Sequence, residues 1–164
     1  MAEKLYDRST RICEFDALRA DHLAALREYA EKHDLGDVSA QATLCGDTTS
    51  VKRRGNFIDR LLVRTATITY ISVVITGELL IWIVSSNSQA PTVISGRLSV
   101  IEVSDYDPRL MLDRGLEVSV PQATEGEERG AYFIGLSEDE GGNRLRASIL
   151  EAVKTAHHPS SPSQ

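Results

Sequence analysis

The run from Ala66 to Val84, ATITYISVVITGELLIWIV, constrains this chain more than any other stretch. Its 19 residues are mostly apolar, close to the ~20 that a helix needs to cross a bilayer. Three features oppose a membrane helix. The run is crowded with β-branched Thr, Ile and Val, which pack well on a pleated sheet and lose side-chain freedom in a helix. Glu78 lies within it, and a carboxylate in a spanning helix costs about 2.5–3.5 kcal/mol even on the mildest insertion scale. Thr76-Gly77-Glu78 also falls where a tight turn would divide the run into two strands. A buried β-hairpin, with no transmembrane segment, is the expectation.

Short strands continue on both sides of the hairpin. They are expected over Ser39–Ser50, Thr65–Thr76, Leu79–Ser85, Thr92–Ser95, Leu98–Ser104, Gly115–Val120 and Ala131–Leu136. Turn signals separate them, among them Ser86–Pro91, Gly96-Arg97 and Pro121–Gly130. Seven strands at such spacing predict an antiparallel sandwich or a partly open barrel, and not a βαβ sheet. Leu98–Val103 alternates between apolar and polar residues with one slip, at Ile101.

A helix is expected on each side of this β region. From Phe15 to Leu35, the residues Phe15, Leu18, Leu23, Leu26, Tyr29 and Ala30 form a stripe at helical spacing. Gly36 ends it, free to take the left-handed conformation. The stripe needs a cover, either the chain's own β region or a partner. At the other end, Leu145, Ile149, Val153 and Ala156 make an i, i+4 ridge. Ser137 is the expected N-cap, and Gly141-Gly142 should delay the regular helix to about Asn143. The polar tail His157–Gln164 is expected to be disordered.

No catalytic or metal constellation emerges. Glycine-rich phosphate loops, GxSxG, HExxH and CxxC are all absent from the sequence. Cys13 and Cys45 are 32 residues apart and fit no zinc spacing; they are expected to be mostly buried thiols. His22 and His33 share one helix face about 16 Å apart, too far for one metal, and are expected to be solvated or half-buried. Asp105-Tyr106-Asp107 starts a calcium-loop spacing that Pro108 breaks. At 164 residues the chain can bury roughly 70% of its unfolded surface, enough to fold without metal or disulfide. No cofactor, no metal and no enzymatic activity are expected. The first fifteen residues contain no apolar signal-peptide core, which predicts a cytoplasmic location.

The one sharp candidate is basic. Between Lys52 and Arg64 stand five cations, Lys52, Arg53, Arg54, Arg60 and Arg64, and a single anion, Asp59. This stretch carries +4 within a chain of net charge −6, leaving −10 for the rest. An acidic chain with pI near 5.2 argues against a nucleic-acid partner. Arginine forks suit phosphate and carboxylate. Phe57 and Ile58, with Leu61 and Leu62, lie between the cations and could enter a membrane interface or contact a partner. They could equally pack one short helix on the protein, with the charges merely solvated.

The order of pieces resembles the bacterial pleckstrin-homology-like (PH-like) domains. The residues that carry this are Thr48-Thr49-Ser50 followed by VKRRGNFIDRLL, the hairpin TYISVVITGELLIWIV, VISGRLSVIEVSDY, GLEVSV, and GAYFIGLSEDEGGNRLRASILEAV. The resemblance covers about Asp37 to Ala156. It implies a mainly β fold with some α: a seven-stranded antiparallel barrel or sandwich capped by the C-terminal helix, with an extra N-terminal helix. Residues 1–36 would then be a helical extension, 37–156 the PH-like domain and 157–164 the tail. It also implies a scaffold rather than a reaction. Such domains bind proteins, peptides or phosphoinositide headgroups, the last through cations in the loop after the first strand. A non-enzymatic module for a protein or peptide partner is the leading expectation. The alternatives are peripheral association with anionic lipid at the inner membrane surface through residues 52–64, and a small-ligand carrier with an enclosed pocket.

Overall fold

The computed structural model describes residues 6–53, 67–105, 114–121 and 130–159. Eight strands are present among them, in two antiparallel sheets that do not close into a barrel. The first sheet joins β1 (Tyr6–Cys13), β2 (Ala42–Lys52), β3 (Ile68–Thr76), β4 (Leu79–Ser86) and β5 (Thr92–Arg97), in that order. The second joins β6 (Glu102–Asp105), β7 (Gly115–Val120) and β8 (Gly130–Gly135). A three-residue 3₁₀ turn (Phe15–Ala17), α1 (Ala20–Lys32) and the short α2 (Val38–Gln41) connect β1 to β2, and α3 (Glu140–His157) follows β8.

The apolar run is the β3–β4 hairpin. Ile75 pairs with Leu80, and the Thr76 hydroxyl accepts the N–H groups of Glu78 and Leu79 to close the turn. The run is nearly continuous in apolar residues because both faces of this hairpin are covered. One face presents Ile71, Val73, Ile75, Leu80 and Trp82 to the second sheet and to Leu145, Ile149 and Val153 of α3. The opposite face presents Val74, Ile81 and Ile83 to Leu23, Leu26 and Ala30 of α1. Among the described residues no helix is long and apolar enough to cross a membrane.

Several expectations need correction. The mainly antiparallel β architecture with a C-terminal helix is as expected, but of the sandwich or partly open barrel the barrel does not form, since the two sheets do not close, and eight strands rather than seven are described. The additional strand is β1, which precedes α1 and pairs with β2 from Tyr6↔Lys52 to Cys13↔Cys45. Helix α1 is therefore bracketed by two neighbouring strands of one sheet. Periodicity had hidden β1, because its inward side chains are bonded rather than greasy: Arg8 Nε donates to Ser50 Oγ at 2.9 Å, and Thr10 Oγ1 lies 2.8 Å from Thr48 Oγ1.

The strand expected over Leu98–Ser104 begins only at Glu102. Leu98, Ser99 and Val100 form a turn, in which Val100 and Ile101 both donate to the Arg97 carbonyl at 3.0 Å. The slip at Ile101 marks that turn. Leu98 and Ile101 are buried, whereas Val100 is exposed.

Helix α3 starts at Glu140, before the two glycines, and its cap is Asp139, not Ser137. Asp139 accepts from Gly142 N–H at 2.9 Å and from the Ser137 hydroxyl. These two donors hold its carboxyl below the usual aspartate range. His157 belongs to α3 and not to a disordered tail; its Nε2 lies 2.9 Å from the Ile101 carbonyl oxygen.

Candidate functional site

Residues 53–67 connect β2 to β3, and Lys52 N–H donates to the Thr67 carbonyl at 3.0 Å at the end of that connection. Lys52 ends β2 and is exposed. The Arg53 fork grips one oxygen of Asp7 on β1, with Nε at 2.9 Å and Nη2 at 2.7 Å. Half of the Arg53 side chain stays in water, where such a pair is weak and exchanges readily for another anion. Arg54, Arg60 and Arg64, and the contact candidates Phe57 and Ile58, lie outside the described residues. The structure thus places the first two basic candidates side by side, at the corner of the sheet where β1 and β2 pair.

A second cluster escaped sequence reasoning. His22, expected to be solvated or half-buried, is fully buried between α1 and the first sheet. Its Nδ1 lies 2.6 Å from Ser72 Oγ, and its Nε2 lies 2.6 Å from Ser85 Oγ. Ser72 Oγ donates to Asp47 Oδ1 at 2.5 Å, and Arg11 Nη2 donates to Asp47 Oδ2 at 2.8 Å. Proton positions follow from donor counting. A carboxylate only accepts, so the Ser72 hydroxyl donates its hydrogen bond to Asp47 and must accept from Nδ1–H. The Nε2 lone pair is then left to accept from the Ser85 hydroxyl. The chain reads Ser85, His22, Ser72, Asp47, Arg11.

Burial depresses the His22 pKa below 6.5. The charged groups around the ring are Asp21, Arg19 and Asp47: the two carboxylates favour the cation, Arg19 opposes it, and desolvation outweighs the carboxylates. The ring is neutral near pH 7. In composition the chain resembles a serine–histidine–aspartate relay, but Ser85 is 4% exposed and Ser72 0%. The chain ties α1 (His22) to β3 (Ser72), β4 (Ser85), β2 (Asp47) and β1 (Arg11). The sequence held one signal for it. Ser72 and Ser85 are polar positions inside or beside an otherwise apolar run.

Surface clefts are also present among the described residues. One of about 390 Å³ at the start of α3 is lined by Ser137, Asn143, Arg114, Glu138, Arg146 and Asp105. Its arginines pair with its acids, Arg114 with Glu138 at 2.7 Å and Arg146 with Asp105 through Nε at 2.7 Å. Another, of about 490 Å³ beside α1, includes Asp16, Glu31, Asp34 and Asp37. A third, of about 610 Å³, runs between α3 and the β3–β4 turn and is lined partly by Ile75, Leu98, Ala152 and Ala156. Among the described residues no three His, Cys, Asp or Glu side chains converge as a metal site.

No protein-family model, curated protein or solved structure matches the chain.

Proposed function

We propose that this chain is a non-enzymatic binding module of PH-like type, which meets an acidic protein or peptide through the connection between β2 and β3. One combined observation carries the reading. Strands β2 to β5 are four consecutive antiparallel neighbours, β6 to β8 are three more, and α3 closes the order. The connection after the first of these seven strands is the basic stretch of an otherwise acidic chain. The resemblance places ligand-binding cations in that same connection. Strand β1 and helix α1 are additions in front of this order.

Charge complementarity brings an acidic segment to Lys52, Arg53 and their neighbours, with arginine forks gripping its carboxylates. Asp7 offers Arg53 a resident carboxylate that an incoming one displaces. Phe57 and Ile58 favour a second reading, in which the same cations meet anionic lipid headgroups and the apolar pair dips into the interface. A small-ligand carrier has less support. The space between the sheets is filled by Trp82, Leu116, Ile134, Leu145 and Ile149, each 0% exposed.

The test compares three probes at low salt: a glutamate-rich peptide, vesicles containing phosphatidylserine, and neutral vesicles. The module reading expects the peptide to bind and salt to weaken it, with Arg53→Glu/Arg54→Glu abolishing binding while the fold survives. Binding to anionic vesicles but not to the peptide would replace it with the lipid reading. Binding to neither, or binding unaffected by the double variant, would contradict a role for the basic connection.

A further inference from the structure

The two cysteines, far apart in sequence, are register partners. Cys13 closes β1 directly opposite Cys45 of β2. The backbone pattern defines the kind of pair. Lys52 N–H donates to the carbonyl of Thr67, the residue before β3, so even-numbered residues of β2 direct their N–H and C=O groups at β3. Cys45, odd-numbered, directs its own at β1. Opposed residues of such a hydrogen-bonded pair have Cα atoms about 5.5 Å apart, inside the range of about 4.4–6.8 Å that a disulfide spans. Their Cβ atoms, about 5.5 Å apart, must close by about 1 Å to reach the bonded range of about 3.5–4.5 Å. Both side chains lie on the face covered by α1: Cys45 is part of its apolar cluster and Cys13 packs against that cluster. Both are free thiols.

We propose that Cys13 and Cys45 are a redox couple, which a small-molecule disulfide converts into a cross-strand bond that closes the loop carrying α1. With oxidised glutathione as the oxidant, the Cys13 thiol loses its proton and attacks one glutathione sulfur. A mixed disulfide forms, and the first glutathione leaves as a thiolate that takes up a proton. Cys45, deprotonated in turn, attacks the Cys13 sulfur and expels the second glutathione. The protein loses two electrons and two protons, and the glutathione disulfide is reduced to two thiols.

Cys13 is the entry point because it is partly exposed and Cys45 is buried. Burial raises both thiol pKa values, that of Cys45 to about 12, so closure is slow at neutral pH and accelerates in alkali. The bond would enclose the 3₁₀ turn, α1 and α2, and so fasten covalently the helix that His22 fastens by hydrogen bonds.

Incubation of the native 164-residue chain with oxidised glutathione, followed by intact-mass and peptide-mass analysis, tests this. The expected product is a monomer lacking two hydrogen atoms, with Cys13 and Cys45 peptides linked and a raised urea midpoint. Cys13→Ser and Cys45→Ser controls should instead stop at a single glutathione adduct or a free thiol. A stable doubly glutathionylated chain, an intermolecular dimer, or a link formed only after denaturation would overturn the proposal. So would two unreacted thiols after prolonged incubation at alkaline pH.

Discussion

Replacing His22 with leucine lowers the stability of the folded chain by about 3–5 kcal/mol, the largest effect expected of any single substitution at the α1–sheet interface. Leucine matches the apolar surroundings of Leu23, Leu26 and Ile83, so hydrophobic burial is retained. What is lost is hydrogen bonding at two buried hydroxyls. Ser85 has no ring nitrogen to donate to, and Ser72 has no N–H to accept from. Each orphaned group costs roughly 1–3 kcal/mol. Asp47 keeps Ser72 and Arg11 as donors, so no bare charge is created, which bounds the loss. Removing the partners as well recovers much of it, since apolar groups facing apolar groups leave nothing unsatisfied. Ser85→Ala in the His22→Leu background should therefore be less destabilising than in the wild type. Urea unfolding of the four chains measures this coupling. A loss below about 1 kcal/mol for His22→Leu, or strict additivity with Ser85→Ala, would show that the chain of hydrogen bonds contributes little.

Alanine at Gly141 has the opposite sign from the one helix propensity suggests. In an exposed helix, Gly→Ala stabilises by about 1 kcal/mol. Here a Cβ on Gly141 would overlap the Thr10 carbonyl oxygen of β1, a backbone atom that cannot turn aside. The first turn of α3 lies directly on that strand, where Ser137 N–H also donates to Thr10 Oγ1 at 3.2 Å. Making room means moving α3 away from β1, which disturbs Leu145 in the core behind it. Gly141→Ala is expected to destabilise by about 2–3 kcal/mol, the scale of overpacking at a rigid contact. Gly77 provides the control. Nothing lies within 4 Å of a Cβ there, so Gly77→Ala should stay within about 0.5 kcal/mol of wild type. A stabilised Gly141→Ala protein, read by thermal or urea unfolding, would contradict this packing of α3.

The β3–β4 hairpin was legible because β-branched residues crowd both sides of a Thr-Gly-Glu turn. The ridge of α3 was legible because Leu145, Ile149 and Val153 repeat at helical spacing. Strand β1 was not, since Arg8, Thr10 and Arg11 engage Ser50, Thr48 and Asp47, and a face satisfied by hydrogen bonds leaves no hydrophobic alternation. The glycines of α3 read as weakness until the neighbouring strand showed what they accommodate. His22 presented only a type and a helix face; its partners come from strands 50 and 63 residues further on. Pairing of Cys13 with Cys45 likewise depends on register, which spacing does not encode. At the basic stretch, residue chemistry was legible throughout, whereas geometry is described only for Lys52 and Arg53.

A neutral, fully enclosed His22 joins α1 to the sheet as a donor at Nδ1 and an acceptor at Nε2. The unfolded chain binds a proton near the ordinary histidine value of 6.5, whereas the folded chain resists it. The stability conferred by the neutral ring is therefore present above pH 6.5 and is lost as pH falls toward the depressed folded value. Nitrogen-15 NMR of the His22 imidazole, followed from about pH 8 downward, measures this directly. The expected result is two well-separated ring signals, the proton fixed on Nδ1, with a midpoint below 6.5. A ring that titrates at or above 6.5, or exchanges rapidly between tautomers near neutral pH, would contradict the account.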